Sequence, residues 1–189
     1  MTARVPDASE AERRGAVMEA TERDYAALKN ELLAALPELG IDRLGVASSE
    51  PFTALKDVLL RHRELGRESG FEHPDLDERT DPSLLFDTPR SILSIAIAYP
   101  SKLVDPPKSE PGARRGILSR SAWGTDYHQV LRNRMGRLEA WLRERVPELR
   151  AESMVDTGAL VDRAVAERAG IGWSGKNCAI ISPELGSWI

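Results

Sequence analysis

The segment SILSIAIAY at residues 91–99 constrains the fold more than any other part of this chain. It is uncharged, rich in isoleucine and bounded by Arg90 and Pro100, which reads as a strand buried on both faces near its middle. Such a strand needs structure packed on each side of it. The preceding sequence offers candidates. Tyr25, Leu28, Leu32 and Leu36 recur at helical spacing, and Pro37 with Gly40 ends that helix before a short strand at residues 44–47. Ser49 is placed to cap a further helix, with Pro51 in its first turn and Phe52, Leu55, Val58 and Leu59 on its buried side.

The chain has 189 residues, enough for one domain with a core. Its composition, 41% hydrophobic and 30% charged, suits a packed fold and excludes a disordered chain. Residues 1–22 lack an apolar stripe and read as an extension, leaving residues 23–189 as the domain. No apolar run approaches the roughly 18–20 residues of a membrane span, so no membrane partner is expected. The N-terminus lacks the apolar centre of a signal peptide, and a single cysteine cannot form an internal disulfide; both place the chain in the cytoplasm.

Beyond the central strand, residues 100–118 form a long Pro- and Gly-containing loop of the kind that often carries function. Thr125 or Asp126 then caps a helix with Val130, Leu131, Met135, Leu138 and Leu142 on one face, ending at Pro147. Residues 152–155 read as a strand, residues 160–169 as a helix closed by Gly170, and residues 178–181 and 186–189 as strand-like. Helices alternate with strands, so the class is α/β or α+β. The net charge is −4, yet residues 108–145 hold nine basic against four acidic side chains, a surface for a polyanion or an ordinary solvated face.

Several motifs carry more than one reading. Residues 170–175, GIGWSG, match G-x-G-x-x-G but follow a helix and precede a strand, the reverse of a dinucleotide site; their glycines instead shape a loop able to close on a ligand through its backbone. Cys178 is a nucleophile candidate with His128, although apolar Ala179 and Ile180 point to a small buried residue. His62, His73 and His128 lie at no metal-ligand spacing, so no protein-ligated metal is expected. Asp156 stands at an expected strand end, where a carboxyl is either a reactive acid or the cap of the next helix. Arg163 points toward Asp156 or a substrate phosphate, or pairs with Glu167 four residues on.

Three strings, RRGILSRSAWGTDYHQVLR, SMVDTGALVDRAVAERAGIGWSGKNC and ISPELGSWI, together resemble epoxyqueuosine reductases, in register from about Asp24 to Ile189. The resemblance implies a nitroreductase-like α/β domain binding base-off cobalamin, followed in the family by a ferredoxin-like domain with two 4Fe-4S clusters. It implies reductive deoxygenation of epoxyqueuosine to queuosine at the wobble position of a tRNA, with the anticodon stem-loop and an external electron donor as partners. In that register Asp156 is the proton donor to the epoxide oxygen and also touches the cofactor. Arg79, Ser119, Lys176, Asn177 and Ile180 line the corrinoid, and the amides of residues 170–178 meet its amide arms. Arg120, Tyr127, His128 and Arg163 are candidates for substrate or tRNA contact. Ser119 stands where some relatives have cysteine. The cluster cysteines of the family fall after residue 189, so a chain ending there is expected not to turn over alone and to leave apolar surface uncovered near its C-terminus. Two alternatives remain: a corrinoid reductase of the reductive dehalogenase type, with tyrosine as its acid, and a non-catalytic corrinoid- or tRNA-binding module.

Overall fold

A computed structural model describes residues 24–105, 108–113, 115–116, 118–156 and 158–189. The extension expected at residues 1–22 lies outside them. The chain divides into two compact units, Met1–Ala35 and Leu36–Ile189. Of the first, the described part is the start of helix α1 (Tyr25–Leu39), where Asp24 Oδ1 accepts the free amides of Ala26 and Ala27 at 3.0 and 2.9 Å.

In the second unit, α1 runs through Pro37 to Leu39. Gly40 ends the helix. Its φ of +71° is left-handed, and the Ile41 and Gly40 amides donate to Leu36 O at 3.0 Å and Pro37 O at 3.1 Å. Strand β1 (Arg43–Ser48) follows and pairs antiparallel with β2 (Ser91–Ala96), from Arg43 opposite Ala96 to Ser48 opposite Ser91. Asp42 extends the pairing, donating its amide to Ala96 O and accepting Ala98 N–H at 2.8 Å on its carboxylate.

Helix α2 (Thr53–Glu64) lies between these strands in sequence and is capped at Phe52, without a side-chain cap. Ser49 sits too far upstream to cap it and donates to Pro89 O at 2.8 Å. Phe52 is buried, and its amide donates to Thr80 O at 2.7 Å. Asp81 starts a 3-10 turn (Pro82–Leu84), accepting Ser83 N–H at 2.9 Å as the Asp-Pro-Ser spacing implies.

Helix α3 (Tyr127–Arg145) is capped by Asp126 and buries Leu138 and Leu142. Helix α4 (Asp162–Arg168) buries Val165 and lies against β1 and β2. The approach is close: a Cβ on Gly45 would overlap the Ala169 carbonyl oxygen and come within 2.9 Å of its carbonyl carbon and Cβ. Arg168 fastens the same end of α4, with its guanidinium over the Phe52 ring and bonded to the carbonyls of Ser48, Glu50 and Pro51. Strands β3 (Trp173–Ser174) and β4 (Ile180–Ile181) close a second antiparallel pair.

Three expectations fail. The central strand is half-buried rather than enclosed, with Leu93 36% exposed, because β1 is its one partner strand among the described residues. Residues 152–155 form no strand; Val155 is buried as coil. Residues 186–189 add a single bridge, Gly186 to Ser182, and a bond from Tyr99 N–H to Trp188 O at 2.9 Å. Trp188 is 41% exposed, so apolar surface is open near the C-terminus.

Candidate active site

Asp156 lies in the coil that joins buried Val155 to α4. Its φ is +51°, a left-handed conformation that aspartate tolerates better than most residues but that costs on the order of 1–3 kcal/mol. The coil is tight: a Cβ on Gly158 would stand 2.9 Å from Met154 Cβ. A shallow cavity of about 270 Å3 opens beside it, with Arg132, Met154, Val155 and Gly158 in its wall. Asp156 does not cap α4. The cap position is Val161, which offers no side-chain bond, so the capping alternative is not the arrangement the chain adopts.

The Asp156 carboxylate is engaged by the first turn of α3 instead. Asp126 caps that helix by accepting His128 N–H at 2.9 Å, and this fixes the two residues after it. Tyr127 OH donates to Asp156 Oδ2. The imidazole of His128 stacks on the Tyr127 ring, centroids 4.1 Å apart and 28° between planes. Its Nδ1 lies 2.8 Å from Asp126 Oδ1 and its Nε2 3.6 Å from Asp156 Oδ2. An imidazole thus stands between two carboxylates, one of which also receives a phenol.

Proton affinities in the cluster follow from these contacts. The bond to Asp156, then burial and the Asp156 charge, push the Tyr127 phenol up to about 12, so it stays a donor at neutral pH. The bonds from the His128 backbone and ring hold the Asp126 carboxyl below the usual aspartate range. Asp162, at the start of α4, is raised, first by the protein packed around its carboxyl and then by the Asp156 charge; it also accepts the Asp156 amide and hydrogen-bonds its carboxyl. Such a site sets an exposed carboxylate among a phenol, an imidazole and a second carboxyl that holds its proton more tightly than usual.

The remaining candidates lie elsewhere. Arg120 stacks on Trp188 at 4.3 Å from the ring centroid, and the adjacent Ser119 is exposed with its Oγ 2.9 Å from Ser121 Oγ. Arg79 is half-buried after the turn at Asp75, while Lys176 and Asn177 are exposed in the β3–β4 turn and Ile180 is in β4. Arg163 is exposed on α4; its expected partner Glu167 instead accepts Ser174 Oγ–H at 2.9 Å.

Two expectations about residues 170–178 change. Cys178 is exposed with φ +63°, not buried. The glycines serve the hairpin itself, since a Cβ on Gly172 would meet the Ile181 backbone and one on Gly175 the Ile181 side chain. The amides of Gly175, Cys178 and Ala179 are bonded to Ala179 O, Gly175 O and Asn177 Oδ1, so they are not free for a ligand. Asp162, and Asp126 as more than a cap, were missed from sequence. Asp162 looks there like an ordinary first-turn acid, and only the left-handed turn at Asp156 brings the two together.

The family described as epoxyqueuosine reductase QueG, DUF1730, matches residues 79–157. The epoxyqueuosine reductase of Bacillus anthracis is 54% identical over 166 residues, covering 88% of this chain and 44% of that protein. The Listeria monocytogenes protein of the same name is 55% identical over the same shares. A solved selenomethionine-labelled epoxyqueuosine reductase superposes with TM-score 0.81 at 48% identity, covering 86% of this chain and 44% of that one. Another, solved with an epoxyqueuosine-modified tRNA-Tyr stem loop, gives 0.79 at 48% identity over 86% and 43%. The Bacillus subtilis enzyme, solved with an aspartate-bearing catalytic loop swung out of the active site, gives 0.79 at 47% identity over 86% and 43%. The chain spans less than half the length of the curated relatives it matches.

Proposed function

We propose, from this likeness to epoxyqueuosine reductases, that the chain forms the acid-bearing, cofactor- and tRNA-binding part of an enzyme that deoxygenates epoxyqueuosine to queuosine in tRNA. One observation carries the reading: Asp156 Oδ2 receives Tyr127 OH and lies 3.6 Å from His128 Nε2, in a left-handed loop. Turning an epoxide into an alkene expels the oxygen as water and needs a proton at that oxygen as its carbon bond breaks. In this reading Asp156 gives it. We read the Asp156 loop, with its left-handed backbone, as the counterpart of the aspartate-bearing catalytic loop of the Bacillus subtilis enzyme.

The cofactor implied is cobalamin, a broad flat ring rimmed with amide arms. The cavity beside Asp156, about 270 Å3, is too small to enclose it, being below the roughly 300–1,000 Å3 of ordinary ligand pockets. An open apolar ledge suits it better: Leu118 is 74% and Trp188 41% exposed, with Ser119 and Arg120 beside them. Among the described residues, the side chains of Arg79 and Lys176 have no hydrogen-bond or ion-pair partner, and each carries donors suited to amide and phosphate oxygens, as does the Asn177 side-chain amide. These residues fit the group and would hold it with Ser119 and Ile180. When bound, it would supply the reducing cobalt, fed by low-potential one-electron donors such as the 4Fe-4S clusters expected in the family.

In this reading Arg163, exposed and without a partner among the described residues, and Arg120 would meet tRNA phosphates. A dehalogenase-type reading, with tyrosine as the acid, predicts instead that Asp156→Asn leaves activity largely intact. The test is to add cob(II)alamin and an anticodon stem-loop to the chain: base-off absorption and salt-dependent stem-loop binding are expected. A spectrum identical to free cofactor at saturating protein, with no stem-loop binding, overturns the reading.

A further inference from the structure

Removing one oxygen as water consumes two electrons and two protons, and a single carboxyl carries one proton. Asp156 must regain a proton before it can act again, and two groups meet its carboxyl: Asp162, which hydrogen-bonds it, and His128, whose Nε2 faces it. We infer that His128 is the proton relay to Asp156, held in line by Asp126, and that its job is to return a proton to Asp156 Oδ2 from solvent after the first has left. The inference rests on the reading of the function given above, because that reading sets the demand for a second proton.

The geometry supports this at each link. His128 Nδ1 lies 2.8 Å from Asp126 Oδ1, which orients the ring and fixes which nitrogen faces the acid. Asp126 is itself immobilised as the α3 cap. The other nitrogen, Nε2, faces Asp156 Oδ2 at 3.6 Å, a gap that a small side-chain rotation closes or one water bridges. Stacking on Tyr127, centroids 4.1 Å apart, prevents the ring from turning away. Tyr127 occupies the same Oδ2 as a donor but cannot reload it, being pushed up to about 12.

The charged groups facing this pair come from three places: Asp126 and Tyr127 from the start of α3, Asp162 from the start of α4, and Arg132, one turn along α3, acting on Asp126 through space. The step is redox-neutral. The N–H bond at His128 Nε2 breaks, an O–H bond forms at Asp156 Oδ2, and the neutral imidazole regains its proton from bulk water. The electrons of the overall reaction come from the low-potential donors named above and do not pass through these residues.

The relay is tested first without turnover. In the isotope-labelled chain, the Asp156 carboxyl carbon and the His128 ring carbons are followed by NMR across pH, with the amide spectrum as the check on folding. The Asp156 carboxyl carbon is expected to respond to the state of the His128 ring, because Nε2 faces Oδ2 at 3.6 Å. That response vanishes from the Asp156 signal in His128→Gln, and in Asp126→Asn the ring loses its single tautomer. An Asp156 signal unchanged in a folded His128→Gln chain overturns the relay. Turnover comes second, with cobalamin, titanium(III) citrate as reductant and an epoxyqueuosine stem-loop. His128→Ala slows product formation by roughly 10²-fold, and free imidazole restores it. A folded His128→Ala chain at the wild-type rate, or a slow one that imidazole does not restore, also overturns the relay. A His128-dependent Asp156 signal in a wild-type chain that shows neither base-off cobalamin absorption nor stem-loop binding supports the proton connection and refutes the proposed function instead.

Discussion

Replacing Gly45 with alanine adds one methyl group at the point where α4 leans on β1. That methyl would overlap the Ala169 carbonyl oxygen and stand 2.9 Å from both its carbonyl carbon and its Cβ. The atoms in the way belong mainly to backbone, so no side chain can swing aside; the C-terminal end of α4 must move by on the order of 1 Å to restore van der Waals separation. Overpacking of this kind costs typically 1–3 kcal/mol. Against it stands the gain from stiffening the unfolded chain, about 0.4–1 kcal/mol for glycine to alanine. A net loss of about 1–2 kcal/mol is expected, read as a lower urea midpoint with an unchanged slope. Because α4 begins at Asp162, the shift also loosens the support under Asp156, and the Asp156 amide should exchange with solvent faster. A Gly45→Ala chain as stable as wild type would refute the packing of α4 on β1.

Other perturbations give independent checks. Arg168→Met removes three carbonyl bonds and the stacking on Phe52 while keeping a long apolar stem, and should cost about 2 kcal/mol in a denaturant melt. Asp162 has its proton affinity raised by folding, so the native state holds that proton more tightly and stability falls as pH rises from about 4 through its folded value. Asp162→Asn removes that fall, so the variant gains on wild type between pH 3 and pH 7 in thermal melts. Glu72 behaves oppositely: amides of Ser69 and Gly70 at 3.0 and 2.9 Å lower it to about 2, so its contribution is present above about pH 4.5 and fades as pH falls toward 2. Acid unfolding of Glu72→Gln should accordingly be shallower over that range.

Local rules located the elements whose signals are local. The Asp126 cap, the stop at Gly40, the strand from Ser91 and the helix from Tyr127 follow from capping chemistry, left-handed glycine and periodicity, all present within a few residues. Failures came where tertiary contacts decide. Ser49 was a plausible cap until the burial of Phe52 moved the helix start, and residues 152–155 look like a strand but have no edge to pair with among the described residues. The site was half legible. Asp156, Tyr127 and His128 could each be singled out from sequence, but their meeting depends on a positive φ at Asp156 that no local pattern announces. Asp162 was hidden for the same reason. The hairpin glycines misled in the other direction, since the close approach they permit is to Ile181 and not to a ligand.

The direct test of Asp156 as the acid is single-turnover deoxygenation of an epoxyqueuosine stem-loop by the cobalamin-loaded chain under titanium(III) citrate, comparing wild type with Asp156→Asn. Asparagine keeps the size of the side chain and an acceptor for Tyr127 OH but cannot give up a proton on demand. Queuosine formation should fall by roughly 10²–10⁴-fold, while cobalamin binding and stem-loop affinity stay within about twofold of wild type. Queuosine formed by Asp156→Asn at the wild-type rate would contradict the assignment of Asp156 as the proton donor.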